Sequence, residues 1–234
     1  MIIIEKSINE IIKTEILHDK KLNKFYEKKY PNSKYTLNEI IKTIIFKLQT
    51  GLSWKKIPNG TTYFFHFSRI KFIFGNIYKK MLSKYLCYDT KTKLKYISTD
   101  TTFIKNNYGI NKVERNKYFK NKKCSKISTI VDINGIPLSL FLFPGNENDM
   151  ILLKPLFKHF KCNKNIILNN TKYFSADKGY DSNNIRGFLK TKNIDTMIPI
   201  NRRNTKNTIK LEENKLTKSE IKIYKKKDYN RKLF

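Results

Sequence analysis

Cysteine and histidine are scarce in this sequence, with three cysteines and three histidines among 234 residues. The six side chains are scattered along the chain, at Cys87, Cys124, Cys162, His18, His66 and His159. No Cys-x-x-Cys pair occurs and no histidine spacing is typical of a zinc site, so neither a zinc site nor a disulfide framework is indicated. The sequence therefore predicts reduced thiols in a reducing compartment.

Long apolar runs are also lacking. No stretch approaches the ~20 apolar residues that are needed to span a bilayer. The first ten residues, MIIIEKSINE, contain a short apolar run without a basic start, which is not typical of a signal peptide. We therefore expect a cytoplasmic or nucleoid-associated protein with no membrane partner.

Acidic residues are few relative to basic ones. The 19 Asp and Glu residues face 49 Lys and Arg residues, which gives a formal net charge of +30. Such a charge repels itself unless a polyanion neutralises it, and nucleic acid is the usual polyanion. Lys, Asn and Ile are all abundant, as AT-rich coding produces without a functional cause. We favour nucleic acid as the partner over a basic protein that has no such ligand.

Residues 1–93 have the pattern of a basic helical domain. Thr36 and Glu39 predict a capping box, and Gly51 predicts the end of that helix. Thr62 is expected to cap a second helix from about residue 63 to residue 86. The inward positions predicted for the two helices are Leu37, Ile40, Ile41, Ile44, Ile45, Leu48, Ile70, Phe74, Ile77 and Met81. A helix-turn-helix DNA reader and an ordinary helical bundle both remain open, because the connecting turn is longer than usual.

From about Leu94 the periodicity changes to alternating strands and helices. Strands are predicted in KYISTDTTF, TKYFSAD and DTMIPI, and SKISTIVDINGIPLSLFLFPG is predicted as a hairpin turning at Asn134-Gly135. Asp149 and Asp181-Ser182 are expected to cap the two intervening helices. This order predicts an α/β domain over residues 94–234, with a mixed sheet flanked by helices in the ribonuclease H-like arrangement.

Two aspartates stand at the ends of strands that are neighbours in such a sheet. Asp100 ends the first strand and Asp177 ends the fourth. Two carboxylates held together repel each other, and a divalent cation such as Mg²⁺ or Mn²⁺ removes that repulsion. Paired metals of this kind support in-line phosphoryl transfer. Either aspartate alone could be a turn or cap residue. Asp132 fits hairpin chemistry better than catalysis.

Several segments, taken in order, resemble the DDE transposases of bacterial insertion sequences, in the insertion sequence 4/5 superfamily. They are YTLNEIIKTIIFKLQTGLSWKKIP, ISTDTTFIKNNYG, VDINGIPLSLFLFPGNENDM, SADKGYDS and IPINRRN. The resemblance covers roughly residues 35–227. It implies that Asp100 and Asp177 are the catalytic, metal-binding residues, and that the activity is DNA cleavage and strand transfer at terminal repeats. It also implies double-stranded DNA with transposon terminal repeats as the partner, and a homodimer when active.

The end of the chain departs from the family pattern. That pattern has a tyrosine, an arginine, a glutamate and a lysine on a C-terminal helix; Tyr224 matches the tyrosine, Lys227 replaces the arginine and Arg231 replaces the glutamate. We therefore expect a catalytic domain truncated before its third acid. The acids nearby are Glu212, Glu213 and Glu220, and their spacing does not recommend them.

Three functions remain open at this point. The first is a transposase whose activity we expect to be impaired by loss of the third acid, because two ligands hold the metal less well than three. The second is a catalytically inactive DNA-binding protein derived from a transposase, and the third is another ribonuclease H-like nuclease. Besides the two aspartates, Lys178, Arg202 and Arg203 are expected to contact DNA.

Overall fold

The computed structural model describes residues 2–29, 34–87, 89–106, 109, 111–160, 164–201, 215–221 and 224. Two compact units make up the chain, one over residues 1–84 and the other over residues 85–234. No helix within the described ranges is both long enough and apolar enough to cross a membrane.

The first unit is helical. Its helices are α1 (Ile2–His18), α2 (Lys20–Lys24), α3 (Leu37–Thr50), α4 (Gly60–Ile70) and α5 (Ile73–Leu86), with a π-helical turn at Phe25–Lys29 and a 3₁₀ turn at Trp54–Lys56. The core is dominated by isoleucine, with one leucine and one tyrosine: Ile12, Ile16, Leu22, Ile40, Ile41, Ile44, Ile45, Ile57, Tyr63, Ile70, Ile73 and Ile77. The apolar faces of the amphipathic helices therefore meet in one interior.

Helix α3 begins and ends where the sequence predicts. The Thr36 hydroxyl accepts a hydrogen bond from the Glu39 amide at 3.3 Å, and the Glu39 carboxylate accepts one from the Thr36 amide at 2.7 Å. The Thr36 amide and the Thr36 hydroxyl both donate to the Glu39 carboxylate, and these two hydrogen bonds hold the pKa of Glu39 below its usual value. Gly51 ends the helix with φ of +67°, which glycine adopts without strain. Leu48 was expected to face inward, but it is 53% exposed in the last turn.

The predicted second helix is two helices. A two-residue break at Lys71 and Phe72 separates α4 from α5. Within α5, Ile77 is buried as predicted, but Met81, which was expected to face inward, is 43% exposed and Leu82 is buried instead, so the buried face changes along the helix. The cap of α4 is also not Thr62: the helix follows Asn59, whose φ is +55°.

The second unit contains a six-stranded mixed sheet flanked by helices. Its strands are β1 (Tyr96–Lys105), β2 (Glu114–Asn116), β3 (Lys122–Val131), β4 (Pro137–Pro144), β5 (Tyr173–Ser175) and β6 (Asp195–Met197). Its helices are α6 (Thr90–Leu94), α7 (Asp149–Lys158), α8 (Lys164–Asn170) and α9 (Asn183–Lys190). The order is β2-β3-β1-β5-β6, with β4 also paired to β3.

The strand directions confirm the predicted fold class. β3 is antiparallel to both β1 and β4, whereas β5 is parallel to both β1 and β6. This is the mixed, ribonuclease H-like arrangement, in which an antiparallel meander is extended by strands that return through crossover helices. The short strand β2, which pairs with the start of β3, was not predicted.

The β3–β4 turn also confirms its prediction. Gly135 has φ of +78°, and one oxygen of the Asp132 carboxylate accepts hydrogen bonds from the amides of Asn134 and Ile136, at 2.9 and 2.8 Å. The other oxygen accepts a hydrogen bond from the Tyr85 hydroxyl at 2.5 Å. Burial raises the pKa of Tyr85 to about 12. Asp132 is therefore a turn-stabilising residue, as the sequence indicates.

The two faces of β1 differ in their exposure. Ile97 and Thr99 are buried, whereas the alternate residues are more open: Ser98 is half-buried and Asp100 is exposed. α7 contributes an apolar layer to this unit, and its Phe157 ring packs 5.8 Å from the ring of Phe174 on β5. Since alternate residues of a strand face opposite sides, Asp100 lies on the more open face of the sheet.

Two aspartates that were predicted to cap helices, Asp149 and Asp181, instead form ion pairs. Asn148, and not Asp149, caps α7 by accepting a hydrogen bond from the Met150 amide. Asp149 instead pairs with the buried Lys126 ammonium group at 2.7 Å. Ser182 caps α9 as proposed, but its neighbour Asp181 forms an ion pair and does not cap the helix.

Candidate active site

Asp100 lies within β1, and Asp177 lies two residues beyond the end of the adjacent parallel strand β5. The prediction that the first strand ends at Asp100 is wrong, because pairing with β3 continues the strand to Lys105. β1 pairs with β5 in parallel register, with Ser98 opposite Ser175. Each aspartate stands two residues beyond its serine, and Asp177 keeps an extended backbone, with φ of −72° and ψ of 172°. Two residues that are far apart in sequence therefore follow the end of the same paired segment.

Each of these carboxylates is oriented by one local hydrogen bond. Oδ1 of Asp100 accepts from the Thr101 amide at 2.8 Å, and Oδ1 of Asp177 accepts from the Gly179 amide at 2.7 Å. Both residues are exposed. Within the described ranges neither carboxylate forms an ion pair. One oxygen of each therefore remains available to a cation.

Gly179 lets the Asp177 carboxylate fold back over the loop. A Cβ atom on Gly179 would lie 2.9 Å from Oδ1 of Asp177, which is closer than carbon and oxygen normally approach. The hydrogen bond from the Gly179 amide is formed at the same oxygen. A side chain at position 179 would therefore displace the carboxylate from its present orientation.

A buried tyrosine links the two segments that carry the aspartates. The Tyr180 hydroxyl lies 2.7 Å from the Thr101 hydroxyl, which is hydrogen-bonded in turn to Ser128 at 3.1 Å. Tyr180 is 2% exposed, and burial raises its pKa to about 12. Since Thr101 directly follows Asp100 and Tyr180 closely follows Asp177, this contact restrains their separation.

The sequence reasoning did not identify Tyr180. The only signal was its place in the segment SADKGYDS, where it follows Asp177 by three positions. Its partner, Thr101, lies on another strand, so the hydrogen bond depends on the register of the folded sheet.

An ion pair fixes the far side of the same loop. Nε and Nη2 of Arg186 donate to Oδ1 of Asp181 at 3.0 and 2.8 Å, and both side chains are largely buried. Arg186 also donates to the Thr196 hydroxyl and the Ile198 carbonyl. The second oxygen of Asp181 accepts from the Asn201 amide at 2.7 Å. The loop after β5 is thus joined to the segment after β6.

The other residues expected at the site are placed as follows. Lys178 is exposed beside Asp177. Arg202, Arg203, Lys227, Arg231, Glu212 and Glu213 lie outside the described residues. Glu220 forms a capping box with Thr217, whose amide and hydroxyl donate to its carboxylate at 2.7 and 2.8 Å. This local role accounts for the Glu220 carboxylate.

The donor set fits a hard divalent cation only in part. Two exposed carboxylates supply oxygen ligands of the kind that Mg²⁺ and Mn²⁺ prefer. Among the residues that the structure describes, however, no three His, Cys, Asp or Glu side chains are grouped closely enough to hold a metal ion together. Asp100 and Asp177 would therefore provide two protein ligands.

One protein-family model matches this part of the chain. The model of the transposase DDE domain matches residues 91–233, which is more than half of the chain and includes both aspartates. The chain belongs to the transposase DDE domain family. Transposases of this family act in DNA cleavage and transfer, and they generally use divalent metal ions.

Similarity to individual proteins is weaker than the match to the DDE domain. A solved structure described as a Mos1 transposase paired-end complex with the left transposon end is 17% identical, with a TM-score of 0.30. The match covers 52% of this chain, and the chain spans 39% of that one. A TM-score this low establishes neither fold nor function. No curated protein matches the chain.

Proposed function

We propose that this protein cleaves and joins DNA strands as a transposase, with Asp100 and Asp177 as the metal-binding residues. The observation that supports the proposal is the parallel register of β1 and β5, because Asp100 and Asp177 each follow the last paired residues, Ser98 and Ser175, by two positions. Membership of the transposase DDE domain family supports the same reaction. The resemblance of the motifs supports the finer assignment to the insertion sequence 4/5 superfamily.

The chain's own groups have defined roles in this proposal. The amides of Thr101 and Gly179 orient the two carboxylates, and the Tyr180 hydroxyl restrains the segments that carry them. Bound Mg²⁺ or Mn²⁺ supplies the charge stabilisation that in-line phosphoryl transfer requires.

The reaction has two steps. In the first, a water oxygen bonds to phosphorus, the P–O3′ bond breaks and the departing 3′ oxygen gains a proton. In the second, that 3′-hydroxyl attacks a target phosphate and releases another 3′-hydroxyl.

Substitution of each aspartate tests the assignment. The full chain is incubated with Mn²⁺ and with supercoiled DNA that carries the repeats flanking its own gene, and nicked product is measured. We expect Asp100→Asn and Asp177→Asn to abolish nicking. Asp195→Asn is the matched control, since Asp195 is an exposed aspartate on β6 of the same sheet. Nicking that persists in both site variants contradicts the assignment.

A second candidate function is a DNA-binding protein without catalysis. It is favoured by the number of metal ligands, because the described residues contain no group of three His, Cys, Asp or Glu side chains that could hold a metal ion. Two-metal chemistry needs a more complete shell. Mn²⁺ titration distinguishes the candidates: binding without nicking, at several Mn²⁺ concentrations, supports the inactive protein, and nicking by the purified chain excludes it.

DNA binding itself is part of the proposal. The net charge of +30 supports a duplex partner, with residues 1–93 as the DNA-binding domain, residues 94–234 as the catalytic domain and a homodimer as the active form. Lys178, Arg202 and Arg203 would contact phosphates. Each neutralised phosphate adds a slope of about 0.9 to log affinity against log salt. If the affinity for a duplex does not change between low and physiological salt, the proposal that the chain binds DNA through its positive charge is contradicted.

A further inference from the structure

The first unit contains an open pocket far in sequence from the two aspartates. Its volume is about 600 Å³, within the range of pockets that bind small organic groups. The lining combines basic and aromatic side chains with a single acid: Asp19, Lys20, Lys21, Leu22, Phe25, Arg69 and Phe72. Three cations and one carboxylate give this pocket a net positive charge.

The Arg69 guanidinium is positioned by aromatic rings. It lies 4.2 Å from the centroid of Phe25 and 4.4 Å from that of Phe65. These cation–π contacts hold the planar group over two adjacent rings. No carboxylate in the described part of the chain forms an ion pair with it. A fixed cation without a neutralising partner is suited to bind an anion.

The single acid of the pocket has a structural role. Oδ1 of Asp19 accepts hydrogen bonds from the amides of Lys21 and Leu22, both at 3.0 Å, and so caps α2. The carboxylate is therefore used by the backbone and does not pair with the lysines beside it. Lys20 and Lys21 are both exposed. The positive charge of the pocket is thus available to a ligand.

Phe72 adds an exposed aromatic surface to this charge. It lies in the two-residue break between α4 and α5 and is 57% exposed. A large apolar ring that stands in solvent beside cations is the combination that binds unpaired nucleotides, because the base stacks on the ring while the cations contact the phosphates. A base inside a duplex is already stacked on both of its faces.

We propose that this pocket binds an unpaired nucleotide of a DNA strand, with the base stacked on Phe72 and the phosphates held by Lys20, Lys21 and Arg69. Charge complementarity and the exposed ring together favour this ligand over an acidic peptide, which offers charge without an aromatic base. The site lies within the first unit and is separate from the Asp100–Asp177 pair. It goes beyond the proposed cleavage reaction and does not depend on it.

Fluorescence anisotropy of the full chain without divalent metal tests the pocket. The probes are a labelled oligodeoxythymidine of ~12 nucleotides, close to the usual site size for single strands, and a duplex of the same length. Phe72→Ala should weaken single-strand binding by about fivefold or more, since loss of one stacking ring has an effect of this order. Phe46→Ala is the matched control, because Phe46 is 48% exposed and lies outside the pocket.

Two further variants separate stacking from charge. Phe72→Trp keeps a stacking ring, so it should retain affinity and show quenched tryptophan fluorescence when the oligonucleotide binds. Arg69→Gln should weaken binding more than Lys79→Gln, which removes an exposed charge outside the pocket. Circular dichroism checks that each variant is folded.

The proposal is overturned if Phe72→Ala and Phe46→Ala bind the single strand equally well. It is also overturned if Phe72→Ala weakens duplex binding as much as single-strand binding, because an unpaired base would then not be required. Since metal is absent, either result leaves the cleavage proposal standing. Loss of nicking in Asp100→Asn, conversely, does not bear on the pocket.

Discussion

The Tyr180 hydroxyl lies 2.7 Å from the hydroxyl of Thr101, and this hydrogen bond joins the two segments that carry Asp177 and Asp100. Tyr180 is buried and the contact is partly shielded from water, which strengthens the hydrogen bond. A tyrosine with no direct metal contact can therefore influence how far apart the carboxylates stand.

Tyr180→Phe should weaken Mn²⁺ binding several-fold while leaving the fold intact. Loss of one buried hydrogen bond costs about 1 kcal/mol of stability, and the greater freedom of the Asp177 loop reduces the preorganisation of the pair. Isothermal titration measures the affinity, and urea unfolding measures the stability. Tyr118→Phe is the control, because Tyr118 is 81% exposed. Unchanged Mn²⁺ affinity, alongside reduced stability, assigns Tyr180 a purely structural role.

Gly179→Ala should impair metal binding more than it impairs stability. The new Cβ would lie 2.9 Å from Oδ1 of Asp177, and the flexible carboxylate can move away at little cost to the fold. Mn²⁺ titration and thermal unfolding provide the two measurements. Gly187→Ala in α9 is the control: no atom would lie within 4 Å of its Cβ, so it should leave metal binding unchanged and add up to about 1 kcal/mol of stability. Equal Mn²⁺ affinity in the two variants contradicts the displacement of Asp177.

Asp132→Ala should destabilise the second unit without a specific effect on catalysis. The substitution leaves the amides of Asn134 and Ile136 and the Tyr85 hydroxyl without their acceptor, at a cost of about 2 kcal/mol or more. Chemical unfolding followed by circular dichroism measures this loss, with Asp195→Ala as an exposed control. Nicking per folded molecule should match the unsubstituted chain. Complete loss of nicking in folded Asp132→Ala protein indicates a catalytic role for Asp132.

The stability of the first unit should fall as the pH falls from about 6.5 to about 4, owing to His66. Burial, with a smaller effect of the nearby Arg69, lowers the pKa of His66 to about 4 from 6.5. Between these values the unfolded chain binds a proton that the folded chain does not. The stability that depends on a neutral His66 is therefore fully present above about pH 6.5 and is lost as the pH falls towards about 4. The loss is on the order of 2 kcal/mol.

Trp54 provides the measurement, because it is the only tryptophan in the sequence and lies in the first unit. Urea unfolding is followed by its fluorescence at about pH 7.5 and about pH 5, on either side of the ordinary histidine pKa. His66→Gln should reduce the difference between the two conditions, whereas His18→Gln, at an exposed position, should not. The same pH dependence in both variants excludes His66 as its source.

Local signals in the sequence predicted local structure well. The capping box at Thr36, the left-handed residue at Gly51 and the Asn134-Gly135 turn each depend on neighbouring residues, and the structure has all three. Strand order was also predictable, because alternating patterns and crossover helices restrict the possible topologies. The neighbouring strands of Asp100 and Asp177 followed from that order.

Features that depend on distant partners were not predictable. Asp149 and Asp181 have the sequence context of helix caps, but Lys126 and Arg186 reach them in the folded chain. No proline or glycine marks the break at Phe72, and the burial of Leu82 in place of Met81 is not visible in the i, i+4 pattern that Ile77 still follows. The Tyr180–Thr101 contact likewise depends on sheet register.

The parallel pairing of β1 with β5 has a consequence for the order of folding. The β3–β4 hairpin is closed by a short turn and can form early, whereas β1 meets β5 only after the chain between them has been brought together. The two aspartates become neighbours only at this late, non-local step. Partly folded chains, including nascent ones that have not yet exposed β5, therefore lack the paired carboxylates, and the appearance of Mn²⁺ affinity during refolding should report completion of the sheet.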